Sequence, residues 1–198
     1  WAKIAALRHV PISVNISARQ LRCDDFVSQV RHALESSGID PARLKLELTE
    51  SMVIDDFEAT VEKMRALAAV GIRFSLDDFG TGSSSLSYLT RLPLDQIKID
   101  RSFVINLPDS PRDAIIADTI ITMARSLRLD VVAEGVETEA QRDFLAERGC
   151  GTYQGFLFGR PQAPGEFERF VTRYVRSNRR RKQESGLRAL LDPEHHGQ

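Results

Sequence analysis

The chain has 198 residues, 42% of them hydrophobic and 28% charged, with a formal net charge of -1. That is the composition of a soluble globular domain long enough to bury one sizeable core. The near-neutral charge argues against a nucleic-acid polymer as partner, and no stretch is long and apolar enough to span a membrane. Two distant cysteines, Cys23 and Cys150, form neither a disulfide framework nor a zinc site, so a reducing cytoplasmic setting is the default. The chain begins at Trp1 rather than Met and shows no leader, which reads as a fragment of a longer protein.

Residues Trp1 to His9 read as the end of a helix, broken by Pro11. Ile12 to Ser17 alternates as a strand, and an amphipathic helix runs from Asp24-Asp25 to Ser37. Leu44 to Thr49 is the second strand, followed by a helix from Phe57 to Ala69. The third strand, with Ile72, Phe74 and Leu76, stops on two adjacent carboxylates, Asp77 and Asp78. A loop of small residues, Gly80 to Ser85, and a helix near Leu86 to Arg91 come next. Leu94 to Ile99 is the fourth strand, and Arg112 to Arg128 is a helix with Ile115, Ile116, Thr119, Ile120 and Met123 on one face. Val131 to Ala133 and Thr152 to Phe158 are the last two strands, with a helix at Glu139 to Arg148 between them and one at Pro164 to Arg176 after them.

Alternating strands and helices mean an α/β fold with a parallel sheet, and short, evenly spaced strands favour a TIM-like barrel. A complete barrel has eight strand–helix units in ~250 residues. About six are present here, so two are expected upstream. The partial barrel domain takes residues 1–176. Residues 177–198 form a polar tail with a basic run, Asn178 to Lys182, whose composition favours solvated disorder over a contact with nucleic acid or anionic lipid.

In a parallel barrel, reacting residues sit at the C-terminal ends of the strands. Those ends deliver Asn15, Glu47, Asp77 with Asp78, Lys98 with Asp100, Glu134 with Glu137, and Gln154. Singly, each has a plain reading. Asn15 bonds a neighbouring backbone, Asp78 caps a helix, Glu134 or Glu137 opens one, and Gln154 sits in a turn. Glu47 is harder to dismiss, because a buried, unpaired carboxylate costs on the order of several kcal/mol and calls for a cation. Lys98, between Ile97 and Ile99, is the natural partner for Asp77 or Glu47, or for a substrate phosphate. Oxygen ligands with one ammonium and no histidine suit magnesium or manganese rather than zinc. Two such ions about 4 Å apart, sharing Asp77, would clamp a phosphorus centre for in-line attack by water, with Lys98 and Glu134 as catalytic groups.

The motifs VNIS at Val14 to Ser17, LELTES at Leu46 to Ser51, LDDFGTGSSSL at Leu76 to Leu86, IKID at Ile97 to Asp100, AEGVET at Ala133 to Thr138 and YQGFLF at Tyr153 to Phe158 stand in order along the chain. On these the chain resembles the EAL domain, a family that hydrolyses the bacterial second messenger cyclic di-GMP to linear pGpG. The resemblance implies Asn15, Glu47, Asp77, Asp78 and Glu134 as metal ligands, Lys98 as the essential lysine, and Glu137 and Gln154 as substrate-binding residues. It also implies that Glu50 braces the DDFGTG loop, that this loop serves a homodimer, and that sensor or GGDEF-type domains stand upstream, with an inner-membrane tether as one arrangement. Two departures accompany it. Ser83 stands where many members carry Tyr, and the Glu-Ala-Leu signature, with its metal-binding glutamate and following arginine, is expected before Trp1. A piece lacking them is expected to be weakly active or inactive alone. The competing readings are a non-catalytic module that binds cyclic di-GMP or a protein partner, and an unrelated magnesium-dependent barrel lyase.

Overall fold

The computed structural model describes residues 4, 7, 10–82 and 86–174. The expected helix at 1–9, apart from 4 and 7, the loop residues 83–85 and the tail 177–198 lie outside them. The chain divides into two compact units, one of residues 11–160 and one of residues 1–10 with 161–198. In the second unit, residues 164–174 are helical, and Phe170 stacks on both Phe167 and Tyr174 along that helix.

The first unit carries six strands: β1 (Ile12–Asn15), β2 (Leu44–Thr49), β3 (Arg73–Phe79), β4 (Gln96–Ile99), β5 (Asp130–Glu134) and β6 (Thr152–Gln154). They pair in sequence order and all in parallel, six consecutive strands of a TIM-like barrel. The helices are α1 (Ala18–Arg22), α2 (Phe26–Ser37), α3 (Glu50–Asp55), α4 (Phe57–Ala68), α5 (Leu86–Leu89), α6 (Pro111–Ser126) and α7 (Glu139–Glu147).

Parallel strands covered on both faces usually read as unbroken apolar runs. These alternate instead. Leu46 and Leu48 of β2, Phe74 and Leu76 of β3, and Ile97 and Ile99 of β4 are buried in one core with Val61, Met64 and Leu67 of α4 and Ile120 and Ile121 of α6. The residues between them, Lys45 and Glu47, Ser75 and Asp77, Gln96 and Lys98, take the opposite face, as a period of two requires. The sheet is therefore greasy toward its helices and polar toward the barrel interior.

Several expected boundaries shift for local reasons. The first strand stops at Asn15 because Ser17 and Gln20 form a capping box that opens α1. The sixth strand stops at Gln154, not Phe158. The chain turns at Gly155, where Phe158 N donates to Gly155 O at 3.1 Å, and this reversal stacks the Phe158 ring on Tyr153. The buried stripe of α6 is Ala117, Ile120, Ile121 and Ala124, while Ile115 is 67% exposed and Thr119 faces solvent. The expected and observed faces share the helical spacing and overlap: Ile120 is buried in the core and Ile116 and Met123 pack against its edge, so the stripe is rotated slightly toward Ala117 and Ala124.

Candidate active site

The site is built around Lys98. Its ammonium is buried and donates to Glu134 Oε1 at 2.6 Å, Glu47 Oε2 at 2.8 Å and Asp77 Oδ1 at 3.0 Å. Those three carboxylates come from β5, β2 and β3, and Lys98 from β4 between them. Burial alone would lower the lysine's pKa, but the hydrogen bonds with Glu134, Glu47 and Asp77 outweigh it and hold the group above its ordinary value. Lys98 is therefore a fixed positive charge. Burial pushes Glu134 upward, and the Lys98 hydrogen bond only partly opposes this.

Asp77 and Asp78 present a geometric problem, because neighbours in a regular strand point to opposite faces. The structure resolves it with a register shift between β3 and β4, which runs from Leu76 to Phe79. Asp78 adopts a left-handed φ of 53° within that irregularity. A bulge of this kind re-aims a side chain, and Asp is among the few residues that accept αL. One oxygen each of Asp77, Asp78 and Glu134 consequently lie within 4.8 Å of one another. Burial, then the like charges of Asp77 and Asp100, raise the Asp78 pKa. A clustered, oxygen-only set of this kind fits a hard divalent cation, which would relieve that repulsion.

The remaining expected residues take less central places. Asn15 pairs in register with Glu47, and Gln154 with Glu134; both are exposed at strand ends beside the cluster. Asp100 caps a 3₁₀ turn at Arg101–Phe103 by accepting from Ser102 N at 3.0 Å. Glu137 lies outside the lysine cluster and accepts from Arg101 Nη2 at 2.9 Å. Glu50 is buried at the start of α3, and a Cβ on Gly82 would stand 3.0 Å from its Oε1. Neither Glu50 oxygen has a hydrogen-bond partner among the described residues.

Two residues near the site escaped the strand-end reading. Gln141 is buried, and its Oε1 accepts from Glu137 N at 2.7 Å and Thr138 N at 3.0 Å. Its Nε2 donates to Ile105 O at 3.0 Å, which ties the loop after β5 to the segment after β4. The Thr138–Gln141 spacing is a capping box and was available in the sequence as a signal. The second is Arg101, whose position no spacing rule gives. The loops after β5 and β6 also interlock: Val136 N donates to Gln154 O at 3.1 Å and Leu157 N to Val136 O at 3.1 Å. A Cβ on Gly155 would fall 2.1 Å from Val136 O, so only glycine allows that approach.

Parallel strands of a TIM-like barrel here gather a lysine and four acids at their C-terminal ends, the face where such barrels place their reacting groups. Comparison with known proteins makes the class specific. The EAL domain family model matches residues 1–161, and the chain belongs to the EAL family. It is 45% identical over 171 residues to the cyclic di-GMP phosphodiesterase NbdA of Pseudomonas aeruginosa, covering 86% of this chain and 22% of that protein. A solved structure of the PaMucR phosphodiesterase in complex with c-di-GMP is 46% identical with a TM-score of 0.77, covering 79% of this chain and 64% of that one. Another, BlrP1 of Klebsiella pneumoniae with manganese and cyclic di-GMP, is 34% identical with a TM-score of 0.71, covering 76% of this chain and 39% of that one. The chain spans about a fifth of the length of the curated relatives it matches.

Proposed function

We propose that this domain, within its whole protein, is a metal-dependent phosphodiesterase that hydrolyses cyclic di-GMP to linear pGpG. The observation that carries the reading is the Lys98 cluster: one buried ammonium bound to Glu47, Asp77 and Glu134, with Asp78 turned in beside them. The activity of NbdA and the ligands of the PaMucR and BlrP1 structures support it.

Asp77, Asp78 and Glu134 are the residues we assign to hold magnesium or manganese, with Asn15 and Glu47 as further ligands to a pair of ions. When bound, such a cation supplies neutralisation of phosphate charge and makes a nearby water more acidic. The chain's own groups do the rest. Lys98, held positive among three carboxylates, is assigned to favour negative charge on a phosphodiester oxygen or the attacking water. Glu134, hydrogen-bonded to Lys98 at the end of β5, is assigned to take and return a proton. Gln154 and Glu137, at the rim, are assigned to the nucleotide, and Glu50, beneath Gly82, to bracing the loop that follows β3. We assign that loop to a homodimer contact and expect sensor or GGDEF-type domains elsewhere in the protein. No helix among the described residues is long and apolar enough to cross a membrane, and both cysteines are free thiols, which fits a domain working in the cytoplasm.

The test is turnover of cyclic di-GMP by the full-length protein with magnesium, followed as appearance of pGpG. Turnover should vanish with a chelator, and Asp77→Asn should reduce it by about a thousandfold or more while leaving the fold intact. Binding without turnover in the wild type would replace this reading with that of a non-catalytic binding module.

A further inference from the structure

Glu137 is held at both ends by residues outside the lysine cluster. Gln141 fixes its backbone N–H, and Arg101 Nη2 holds its carboxylate through Oε1 at 2.9 Å. An ion pair this exposed ordinarily contributes little, because ordering two long side chains offsets the attraction. Arg101 is a special case, since its stem already follows a fixed path. A Cβ on Gly135 would stand 2.2 Å from Arg101 Cγ and 2.8 Å from Cδ, so the stem crosses directly over Gly135. Gly135 has φ +68°, which also favours glycine. The channel and the backbone turn are thus supplied by one residue, directly after Glu134.

The placement links two catalytic strands. Arg101 follows β4, the strand of Lys98, and reaches across to the loop that follows β5, the strand of Glu134. The head group engages only Oε1 of Glu137 among the described residues, so Oε2 is left to accept from an N–H or O–H donor.

We propose that Arg101 is a positioning residue: lying over Gly135, it presets the Glu137 carboxylate toward the nucleotide before the ligand arrives. This rests on the cyclic di-GMP reading above. Prepaid ordering of a binding group strengthens ligand binding without altering the chemical step. Arg101 thus governs affinity and acts through Glu137.

The experiment uses the full-length protein with magnesium and four variants: Arg101→Ala, Arg101→Met, Glu137→Gln and the double variant Arg101→Ala with Glu137→Gln. The Met variant keeps an apolar stem over Gly135 and removes only the charged head. Both Arg101 variants should raise KM for cyclic di-GMP by about three- to tenfold with kcat changed less than about twofold. The double variant should be no worse than Glu137→Gln alone. Unchanged KM in both Arg101 variants, or effects that add in the double variant, would overturn the assignment. Kd for cyclic di-GMP, measured in parallel, decides the same question if the wild type binds without turnover. That result would sink the hydrolase reading alone, whereas a normal KM in active Arg101 variants sinks only the positioning role. A wild type that neither binds nor turns over cyclic di-GMP removes both.

Discussion

Lys98 Nζ lies 2.6 Å from Glu134 Oε1, the shortest of three contacts that place one buried ammonium among carboxylates of three other strands. The cluster's charges depend on one another, since each carboxylate is kept close to its neighbours by the lysine between them.

Removing that lysine should therefore destabilise the domain as well as stop it. Lys98→Ala leaves partly buried acids uncompensated, and breaking such a pair costs about 3–5 kcal/mol. Denaturant unfolding should show the loss, and added magnesium should restore part of it by supplying a substitute cation. An unchanged midpoint would contradict the buried-cluster account.

Asp78 separates backbone strain from charge. Asn tolerates the left-handed φ of 53°, so Asp78→Asn should unfold within about 0.5 kcal/mol of wild type while binding magnesium less well. Asp78→Val should lose about 1–2 kcal/mol more, because a β-branched side chain resists αL. Equal stability of the two variants would mean that the bulge is not fixed in solution.

Gln141 is a structural knot. Gln141→Ala removes three hydrogen bonds and leaves groups behind it unsatisfied, which should cost about 2–4 kcal/mol by denaturant unfolding. A loss below about 0.5 kcal/mol would show that water replaces those bonds freely.

The two cysteines should report the fold. Burial pushes the Cys150 thiol up, so at about pH 8 its thiolate fraction and its access are both low. Cys23 is exposed. A thiol reagent should label Cys23 promptly and Cys150 only after unfolding; prompt labelling of both would mean that the sheet opens near Cys150.

Much of this was legible in the residues. Alternating strands and helices imposed a parallel sheet, and the strand-end list put Glu47, Asp77, Lys98 and Glu134 at one mouth, where the structure brings them together. The bulge was not legible, because a period of two assigns Asp77 and Asp78 to opposite faces and only the pairing of β3 with β4 shows otherwise. Short helices such as α1 and α3 were missed, since a single turn carries too little periodicity to register beside a strand. Arg101 was missed for a different reason: its role depends on an empty place over Gly135, and a sequence pattern records side chains rather than the space between them.

The alternation along β2, β3 and β4 has a consequence for how this domain can change. Helix-side packing is written on one set of positions, Leu46, Leu48, Phe74, Leu76, Ile97 and Ile99, and the charged cluster on the residues between them. A substitution at Leu76 should be felt as a cavity, at about 2–5 kcal/mol for Ala, without touching the polar face. A substitution at Ser75 or Gln96 alters the floor beneath the cluster and leaves the helix-side packing alone. Apart from Lys98, whose charge the acids around it require, substitutions on the polar register can therefore accumulate while the apolar register keeps the chain folded, which leaves room for intact barrels of this kind that no longer turn over any substrate.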